Sequence, residues 1–266
     1  MTHSVISLGL GLGGGKAGTS SGGTGGGYAN AYSVNFDQSD DNATGSEASD
    51  VEVYGISAWV RPAAEITQSY AASDDVNCIL GWGGSQWGLI LGPASQTSIV
   101  SCRINATNTT YQYKPASGTV TFPANTWIHL MTQWSESSST DSGNAGYDIW
   151  VNGSKVGNAV QSAPGTPVRG ELKAAGFTIG SRENGSYWFG GQIDEISVFS
   201  SAVSDANIAT IYNGGVPGDL ENLEPFHWWR MGDSDGGTGT TITDLGSAER
   251  DLTLVNGPTF SSEVPS

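Results

Sequence analysis

The sequence is a succession of short segments in which apolar and polar residues alternate, separated by glycine-rich turns, and this pattern constrains the fold more than any other feature. Residues at alternate positions of a strand lie on opposite faces of a sheet, so the alternation predicts strands. The clearest segments are AYSVNF (31–36), VEVYGISAWV (51–60), NCILGW (77–82), WGLIL (87–91), SIVSCRI (98–104), TWIHLMTQW (126–134), GYDIWVNG (146–153), GFTIG (176–180) and GGQIDEISVF (190–199). Many short strands joined by such turns predict an all-β protein, a two-sheet antiparallel jelly-roll sandwich.

One helix is predicted after the last of these segments. Ser204 can cap the segment SDANIATIYN, Ile208 and Ile211 then share one face, and Gly214 ends the helix. The expected architecture is therefore a β-sandwich with one short helix and a glycine-rich N-terminal tail.

The strand segments predict two sheet faces of different character. One face carries aliphatic side chains throughout. The opposite face mixes aromatic and polar side chains, namely Trp59, His129, Gln133, Asp148 and Trp150. Such a face suits either a shallow sugar-binding surface or a second packing layer covered by loops. We favour the covered layer, because large apolar patches are rarely bare on a monomer.

Asp194 raises a question of charge burial. Strict alternation places it on the same face as Ile196, which is the buried face, and places Glu195 on the other, solvated face. A buried carboxylate must be compensated. Three compensations are open: backbone N–H groups, a cation such as Arg182 or Arg61, or bound Ca²⁺, which takes oxygen ligands.

The charge balance excludes polyanionic partners. The chain has 10 Lys and Arg residues against 26 Asp and Glu, a formal net charge of −16. Nucleic acid would therefore be repelled. No apolar run approaches the ~18 residues of a membrane span, and the N-terminus lacks the basic region of a signal peptide. We expect no membrane insertion and no secretion by that route.

The cysteines leave two alternatives. Cys78 and Cys102 are too few for a disulfide framework in a chain of 266 residues. Their strands could be neighbours, so a single bridge and two free buried thiols both stay open.

Residues 1–30 differ in composition from the rest of the chain. The glycine-rich stretch buries too little apolar area to offset the entropy of ordering it, which predicts a flexible tail. Its beginning nevertheless carries an apolar string, formed by Val5, Ile6, Leu8, Leu10 and Leu12. Either this string anchors the tail on another protein, or the leucines are incidental in a disordered terminus.

Several motifs together resemble one family. In chain order they are YSVNFDQSDD, GISAWVRP, NTWIHL, YDIWVNGSKVG, FTIG and FGGQIDEISVFSSAVSDANIATIYNGG. This series, over residues 31–215, is similar to a LamG-like (concanavalin A-like lectin/glucanase) jelly roll. Residues 227–260 resemble the opening of such a domain, yet they close the chain. We therefore expect one domain, 31–266, with residues 226–260 packing on or completing the same sandwich.

Candidate binding residues follow from the family resemblance and from the loop aromatics. Many members hold Ca²⁺ near an Asp of the strand that matches the one with Asp194, often with an acidic residue near the first strand, which Asp37 matches. Aromatic rings in loops can stack on sugars, and the candidates here are Trp82, Trp87, Tyr187 and Trp188. The glucanase pattern E-x-D-x-x-E is absent, so we expect no enzymatic activity.

The tail and the ending GPTFSSEVP resemble bacteriophage virion proteins of the head-fibre, decoration or tail-fibre kind. This resemblance implies a structural protein of the virion, assembled in the host cytoplasm. Its tail would bind capsid or tail proteins, its jelly roll would bind cell-surface polysaccharide, and it would form a homo-oligomer. A free carbohydrate-binding lectin module and a glycoside hydrolase are the alternatives. The missing pair of acids argues against the hydrolase.

Overall fold

The structure is a computed structural model that describes residues 29–67, 77–82, 88–91, 100–104, 109–113, 121–136, 146–156, 158–161, 169–182 and 185–266. Two antiparallel sheets pack as a sandwich with one short helix, which confirms the predicted jelly-roll class. Within the described residues, no helix is long and apolar enough to cross a membrane.

The described residues form a chain of short strands with one helix, α1, between β17 and β18. The bounds are β1 (Ser33–Asp37), β2 (Asn42–Gly45), β3 (Val51–Val53), β4 (Gly55–Pro62), β5 (Ile66–Thr67), β6 (Asn77–Gly81), β7 (Leu89–Leu91), β8 (Val100–Ile104), β9 (Thr109–Tyr113), β10 (Thr121–Phe122), β11 (Ile128–Ser135), β12 (Gly146–Val151), β13 (Ser154–Val156), β14 (Asn158–Gln161), β15 (Gly170–Leu172), β16 (Phe177–Ile179), β17 (Gly190–Phe199), α1 (Asp205–Tyr212), β18 (His227–Trp229), β19 (Thr241–Ile242), β20 (Leu252–Val255) and β21 (Thr259–Ser261).

These strands form two large sheets and two short ribbons. The first sheet has the order β13-β12-β11-β4-β17-β1-β21, and β18 also pairs with β17. The second sheet has the order β14-β9-β8-β7-β6-β16-β2-β20-β19. The ribbons are β10-β5 and β15-β3. The strands after α1 therefore enter both sheets.

The core lies between the two sheets and consists of the side chains that each strand turns inward. β4 contributes Ile56, Ala58 and Val60, and β16 contributes Phe177 and Ile179, all buried in one cluster. Each large aliphatic or aromatic side chain buried in this way contributes about 1.5–3 kcal/mol. This is the aliphatic face that the alternation predicted.

The outer face of the first sheet is a covered layer, as the sequence predicted, but α1 covers it rather than the predicted loops. Trp59 and Trp150 are both buried. Trp59 stacks on Tyr212 with ring centroids 5.8 Å apart. Ile208 and Ile211 of the helix pack in one cluster with Trp150. The tryptophans of this face are therefore packing residues.

Helix α1 begins where the sequence predicted and ends one residue earlier. The side chain of Ser204 accepts a hydrogen bond from the N–H of Asn207. Asn213 adopts the left-handed conformation with φ 47° and caps the C-terminus, one position before Gly214. Asparagine is one of the few residues that tolerates this conformation.

A β-bulge in β17 shifts the alternation, and it corrects the prediction for two carboxylates. The pairing with β4 keeps register until Asp194, opposite Trp59, and then shifts. Glu195 takes up the extra residue with φ 47°. Ile193 and Ile196 consequently both join the core. Asp194 therefore lies on the outer face with Trp59, not on the core face, and Glu195 is only 3% exposed rather than solvated.

Candidate functional site

The candidate site is a groove on the outer face of the second sheet, with a volume of about 610 Å³. This size is typical of small-ligand sites, which span roughly 300–1,000 Å³. Three neighbouring strands and the loop before β20 supply its polar side chains. They are Thr44, Thr178, Thr253, Glu249, Arg250 and Asp251, together with Ser46 directly after β2.

The floor of the groove is a row of threonines on adjacent strands. Each threonine alternates with core residues, so its hydroxyl lies on the outer face. Register pairs Thr178 with Thr44, and Thr44 with Thr253. Thr241 continues the row on the edge strand β19. Because neighbouring strands lie about 4.8 Å apart, the hydroxyls repeat at about that interval.

One wall of the groove is a loop fixed by hydrogen bonds to its backbone. The carboxylate of Asp244 accepts the N–H of Arg250 at 2.9 Å, and the indole of Trp229 donates to the Arg250 carbonyl at 2.9 Å. Asp251 accepts the N–H of Asp244. The Arg250 side chain is exposed and forms no ion pair with another described residue. Its guanidinium is therefore accessible to a ligand, and its charge also acts on Glu47, whose pKa it lowers.

A buried polar cluster supports this wall. The ring of His227 is fully buried, with Nδ1 2.7 Å from Asp244 Oδ2 and Nε2 2.9 Å from Glu47 Oε1. Asp244 also accepts the N–H groups of Trp228 and Gly246, both at 2.8 Å. Burial raises the pKa of Glu47 above its ordinary value, while His227 opposes that rise. The cluster is sealed from solvent and positions the loop.

The sequence analysis missed this groove, although a signal was present. In FTIG and LTLV a threonine lies between two core residues, and in NATG the threonine follows the core residue Ala43. Alternation predicts that each threonine faces outward. Only the pairing of β16 with β2 and of β2 with β20 brings the three together, and that pairing joins distant parts of the chain.

Asp37, predicted as a Ca²⁺ ligand, lies in a cluster with Asp40 and Asp41. One ligand oxygen of each lies within 4.8 Å of the others. Burial raises the pKa of Asp41, and the nearby charge of Asp37 raises it further. Within the described residues, no Lys or Arg forms an ion pair with these three carboxylates. Three close carboxylates of this kind fit the oxygen chemistry of Ca²⁺.

Asp194, the other predicted Ca²⁺ ligand, lies apart from this cluster. Register places Asp37 opposite Gly190, four residues along β17 from Asp194, which corresponds to about 13 Å. Asp194 accepts hydrogen bonds from the side chain of Asn30 at 2.9 Å and the N–H of Glu195 at 2.8 Å. Burial and then the charge of Glu195 raise the pKa of Asp194 well above its ordinary value. Hydrogen bonds therefore compensate this carboxyl group, and the structure does not bring it to Asp37.

The predicted sugar-stacking aromatics have different environments. Trp82 is 2% exposed and packs in the core, so it offers no ring face to a sugar. Trp87 lies outside the described residues. Tyr187 and Trp188 are half-buried in the hairpin before β17, and the guanidinium of Arg182 lies 5.3 Å from the Tyr187 ring centroid. Only this hairpin retains partly exposed aromatic rings among the described candidates.

The remaining predicted residues are the cysteines and the anchor. Cys78 is a buried free thiol, and burial raises its pKa. The side chain of Cys102 lies outside the part of the chain that can be described. So do the anchor residues Val5, Ile6, Leu8, Leu10 and Leu12.

Solved structures are similar to this chain at low sequence identity. A protein from Bacteroides ovatus ATCC 8483 thought to bind carbohydrate is 17% identical with a TM-score of 0.54, over 88% of this chain and 61% of that chain. The chain thus spans about three fifths of that protein's length. A SAP-like pentraxin from Limulus polyphemus is 12% identical with a TM-score of 0.46, over 88% and 96% of the two chains.

The family comparison agrees with the fold. No curated protein matches the sequence. The Laminin_G_3 family model, described as the concanavalin A-like lectin/glucanases superfamily, matches residues 22–209, which is more than half of the chain. The chain therefore belongs to the concanavalin A-like lectin/glucanase superfamily.

Proposed function

We propose that the chain is a non-enzymatic carbohydrate-binding module whose groove holds a neutral polysaccharide. One observation carries the proposal: Thr44, Thr178 and Thr253 line a single groove of about 610 Å³ together with Arg250 and two carboxylates. Sugar hydroxyls both donate and accept hydrogen bonds. Threonine hydroxyls do the same, guanidinium groups donate, and carboxylates accept, so the groove matches a polyhydroxylated ligand.

The charge of the protein selects among polysaccharides. The formal net charge is −16, and Glu249 and Asp251 lie at the groove itself. An acidic polysaccharide would be repelled, whereas a neutral one would not. The shared fold with a Bacteroides ovatus protein thought to bind carbohydrate supports the same ligand class.

Binding without bond cleavage is the second part of the proposal. Glycoside hydrolysis requires two carboxyl groups on opposite sides of the scissile bond. The glucanase acid pattern is missing from the sequence, and the buried Glu47–His227–Asp244 cluster is closed to a polymer. Of the two carboxylates in the groove itself, Asp251 is held by the N–H of Asp244 at 2.9 Å. Incubation with a bound polysaccharide should release no reducing ends, and measurable release would contradict this part.

Calcium would act as a structural clip in this proposal. Asp37, Asp40 and Asp41 would hold the ion in the turn between β1 and β2, and its positive charge would offset the repulsion among the three carboxylates. Tyr187 and Trp188 stay candidates for a second sugar contact. Their substitution by Ala, tested separately from the groove variants, would show whether they contribute to binding.

Threonine-to-valine variants test the groove. Thr178→Val and Thr253→Val remove a hydroxyl while keeping a β-branched side chain suited to a strand. The buried hydroxyl of Thr178 also donates to the Ser181 carbonyl at 2.7 Å, so the exposed Thr253 gives the cleaner test of a sugar contact. A lost hydrogen bond of about 0.5–1.5 kcal/mol corresponds to about 2- to 12-fold weaker binding. Thr259→Val is the matched control, because Thr259 is exposed on β21 of the other sheet.

The measurement is calorimetric titration of the full chain with a panel of neutral and acidic polysaccharides. We expect saturable binding of a neutral member, weakened by each groove variant and by Arg250→Met, and unchanged in Thr259→Val. Equal affinities of the wild type and the Thr178→Val/Thr253→Val double variant would contradict the groove as the binding site.

Display on a bacteriophage particle is a further part of the proposal, and it rests on the tail. Residues 29 and 30 are the only ones of 1–30 that the structure describes. The chain would be a structural protein whose tail binds capsid or tail proteins and whose groove faces outward. Mass spectrometry of purified particles tests this, since absence of the chain from particles would contradict it.

A further inference from the structure

A second groove lies on the outer side of the first sheet, near the point where the described chain begins. Its volume is about 690 Å³, and we call it the Leu245 groove. It is lined by Trp228, Arg230, Leu245, Asp219, Glu221 and Glu224, among others. Leu245 is 45% exposed, which is more than any other large apolar side chain among the described residues. The groove thus combines an exposed apolar residue with an acidic rim.

The described chain starts at the wall of this groove. A side-chain nitrogen of Arg230 donates to the carbonyl of Ala29. Arg230 is itself fixed by Glu195, at 3.1 Å, and by Asp233, at 2.6 Å. Asp233 also accepts the N–H groups of residues 31 and 32. The N-terminal segment therefore leaves the sandwich directly beside the Leu245 groove.

The composition of that segment complements the groove. All 26 acidic residues of the chain lie after residue 30, so the segment 1–28 carries no negative charge. It holds Lys16 and the apolar string of residues 5–12. The rim holds three carboxylates, Asp219, Glu221 and Glu224. An occupant with leucines followed by a lysine fits both the apolar and the acidic parts.

We infer that, while the tail is not bound to another protein, the apolar string of residues 5–12 docks in the Leu245 groove of the same chain, with Lys16 against the acidic rim. Sixteen residues separate Leu12 from Ala29, and each spans up to about 3.4 Å, so the string can reach the groove. A tether of this length gives an effective concentration on the order of 1 mM. The connection at Ala29 thus favours the chain's own segment over a separate molecule.

Amide hydrogen exchange of the full chain tests this docking. At an effective concentration of about 1 mM, a segment that binds with a Kd of about 0.1 mM is docked for about nine tenths of the time, which slows exchange about tenfold. We expect this protection in residues 5–12 of the wild type and its loss in Leu245→Asp. Val216→Asp is the matched control, because Val216 is the other exposed large apolar residue at 38% and does not line the groove.

Three results would overturn the inference. The first is equal exchange of residues 5–12 in the wild type and in Leu245→Asp, provided that Leu245→Asp and Val216→Asp keep the wild-type melting temperature. The second is equal loss of protection in Val216→Asp. The third is protection that appears only with dimerisation as protein concentration rises, measured by light scattering, because the occupant would then be the segment of a second copy.

A peptide in trans provides an independent measurement. The full chain with Leu8, Leu10 and Leu12 all replaced by Ser has an open groove if the inference holds. A labelled peptide of residues 1–18 should bind this variant at least fivefold more tightly than the wild type, as measured by fluorescence anisotropy. Equal binding to both would show that the native string does not occupy the groove.

Discussion

Replacement of Asp244 by Asn tests the buried cluster behind the groove. Asp244 accepts four hydrogen bonds, one from His227 Nδ1 and three from the N–H groups of Trp228, Gly246 and Arg250. Asparagine keeps one acceptor oxygen and replaces the other with a donor. The change is therefore nearly isosteric, and its effect measures hydrogen bonding and charge rather than packing.

The expected loss of unfolding free energy is about 3 kcal/mol. If the asparagine oxygen serves Trp228 and Gly246, its amide group meets the N–H of Arg250, which loses its acceptor at a cost of about 1–3 kcal/mol. The other two N–H bonds lose their charged acceptor, at about 0.5–1 kcal/mol each. His227 can adapt by exchanging tautomers, since Nδ1 can then accept from the asparagine amide group.

Urea unfolding followed by tryptophan fluorescence measures this change. The midpoint should fall while the m-value stays constant, because the same surface is exposed on unfolding. Asp205→Asn is the control, since Asp205 is exposed in the first turn of α1 and should cost less than about 1 kcal/mol. A loss below about 1 kcal/mol in Asp244→Asn would refute the argument that this carboxylate organises the loop.

Four further predictions concern a buried histidine, the calcium site, a packed tryptophan and the buried thiol. Burial lowers the pKa of His129 to about 3 from an unfolded value of 6.5. The neutral buried ring therefore makes its full contribution to the free energy of unfolding above pH 6.5. That free energy falls by about 1.4 kcal/mol per pH unit as the pH drops from 6.5 towards 3. The urea-unfolding free energy of His129→Gln should accordingly depend less on pH between 6.5 and 4 than that of the wild type. Calcium should raise the melting temperature of the wild type and leave Asp41→Asn unchanged, and an equal rise in both would exclude the Asp37 cluster as the site. Trp59→Ala should lower the unfolding free energy by about 3–5 kcal/mol, because the ring packs against Tyr212 and the sheet. Peptide mapping after thiol labelling should find Cys78 unmodified in the native protein and modified after unfolding, because its thiol is buried and its pKa is raised.

The sandwich and its helix could be predicted from the sequence because their signals are local. Alternation identifies a strand from its own residues, and the cap at Ser204 lies next to the helix it starts. The covered outer face was also predictable, since tryptophans such as Trp59 and Trp150 require burial. These inferences need no knowledge of which strands are neighbours.

The two features that the sequence did not predict both depend on strand pairing. The bulge at Glu195 adds one residue against β4, and alternation counts every residue equally, so Asp194 was placed on the wrong face. The groove needs β2 to pair with β16 on one side and with β20 on the other. In each pair the two strands are more than 70 residues apart in the sequence. A polar row that crosses strands has no local signal beyond one threonine in each.

Residues beyond the range that the family model matches contribute to both grooves. The family model matches residues 22–209, whereas the groove wall at 249–251 and the whole Leu245 groove come from later residues. Asp244 fixes the wall at 249–251 by accepting the N–H of Arg250. Arg230 and Asp233 bind the backbone of residues 29–32 beside the Leu245 groove. The matched residues supply the scaffold and two of the groove threonines, Thr44 and Thr178, but not Thr253, the wall at 249–251 or the Leu245 groove. If the grooves bind as proposed, ligand choice depends on the segment after α1 as well as on the scaffold, and members that share only the scaffold need not share the ligand.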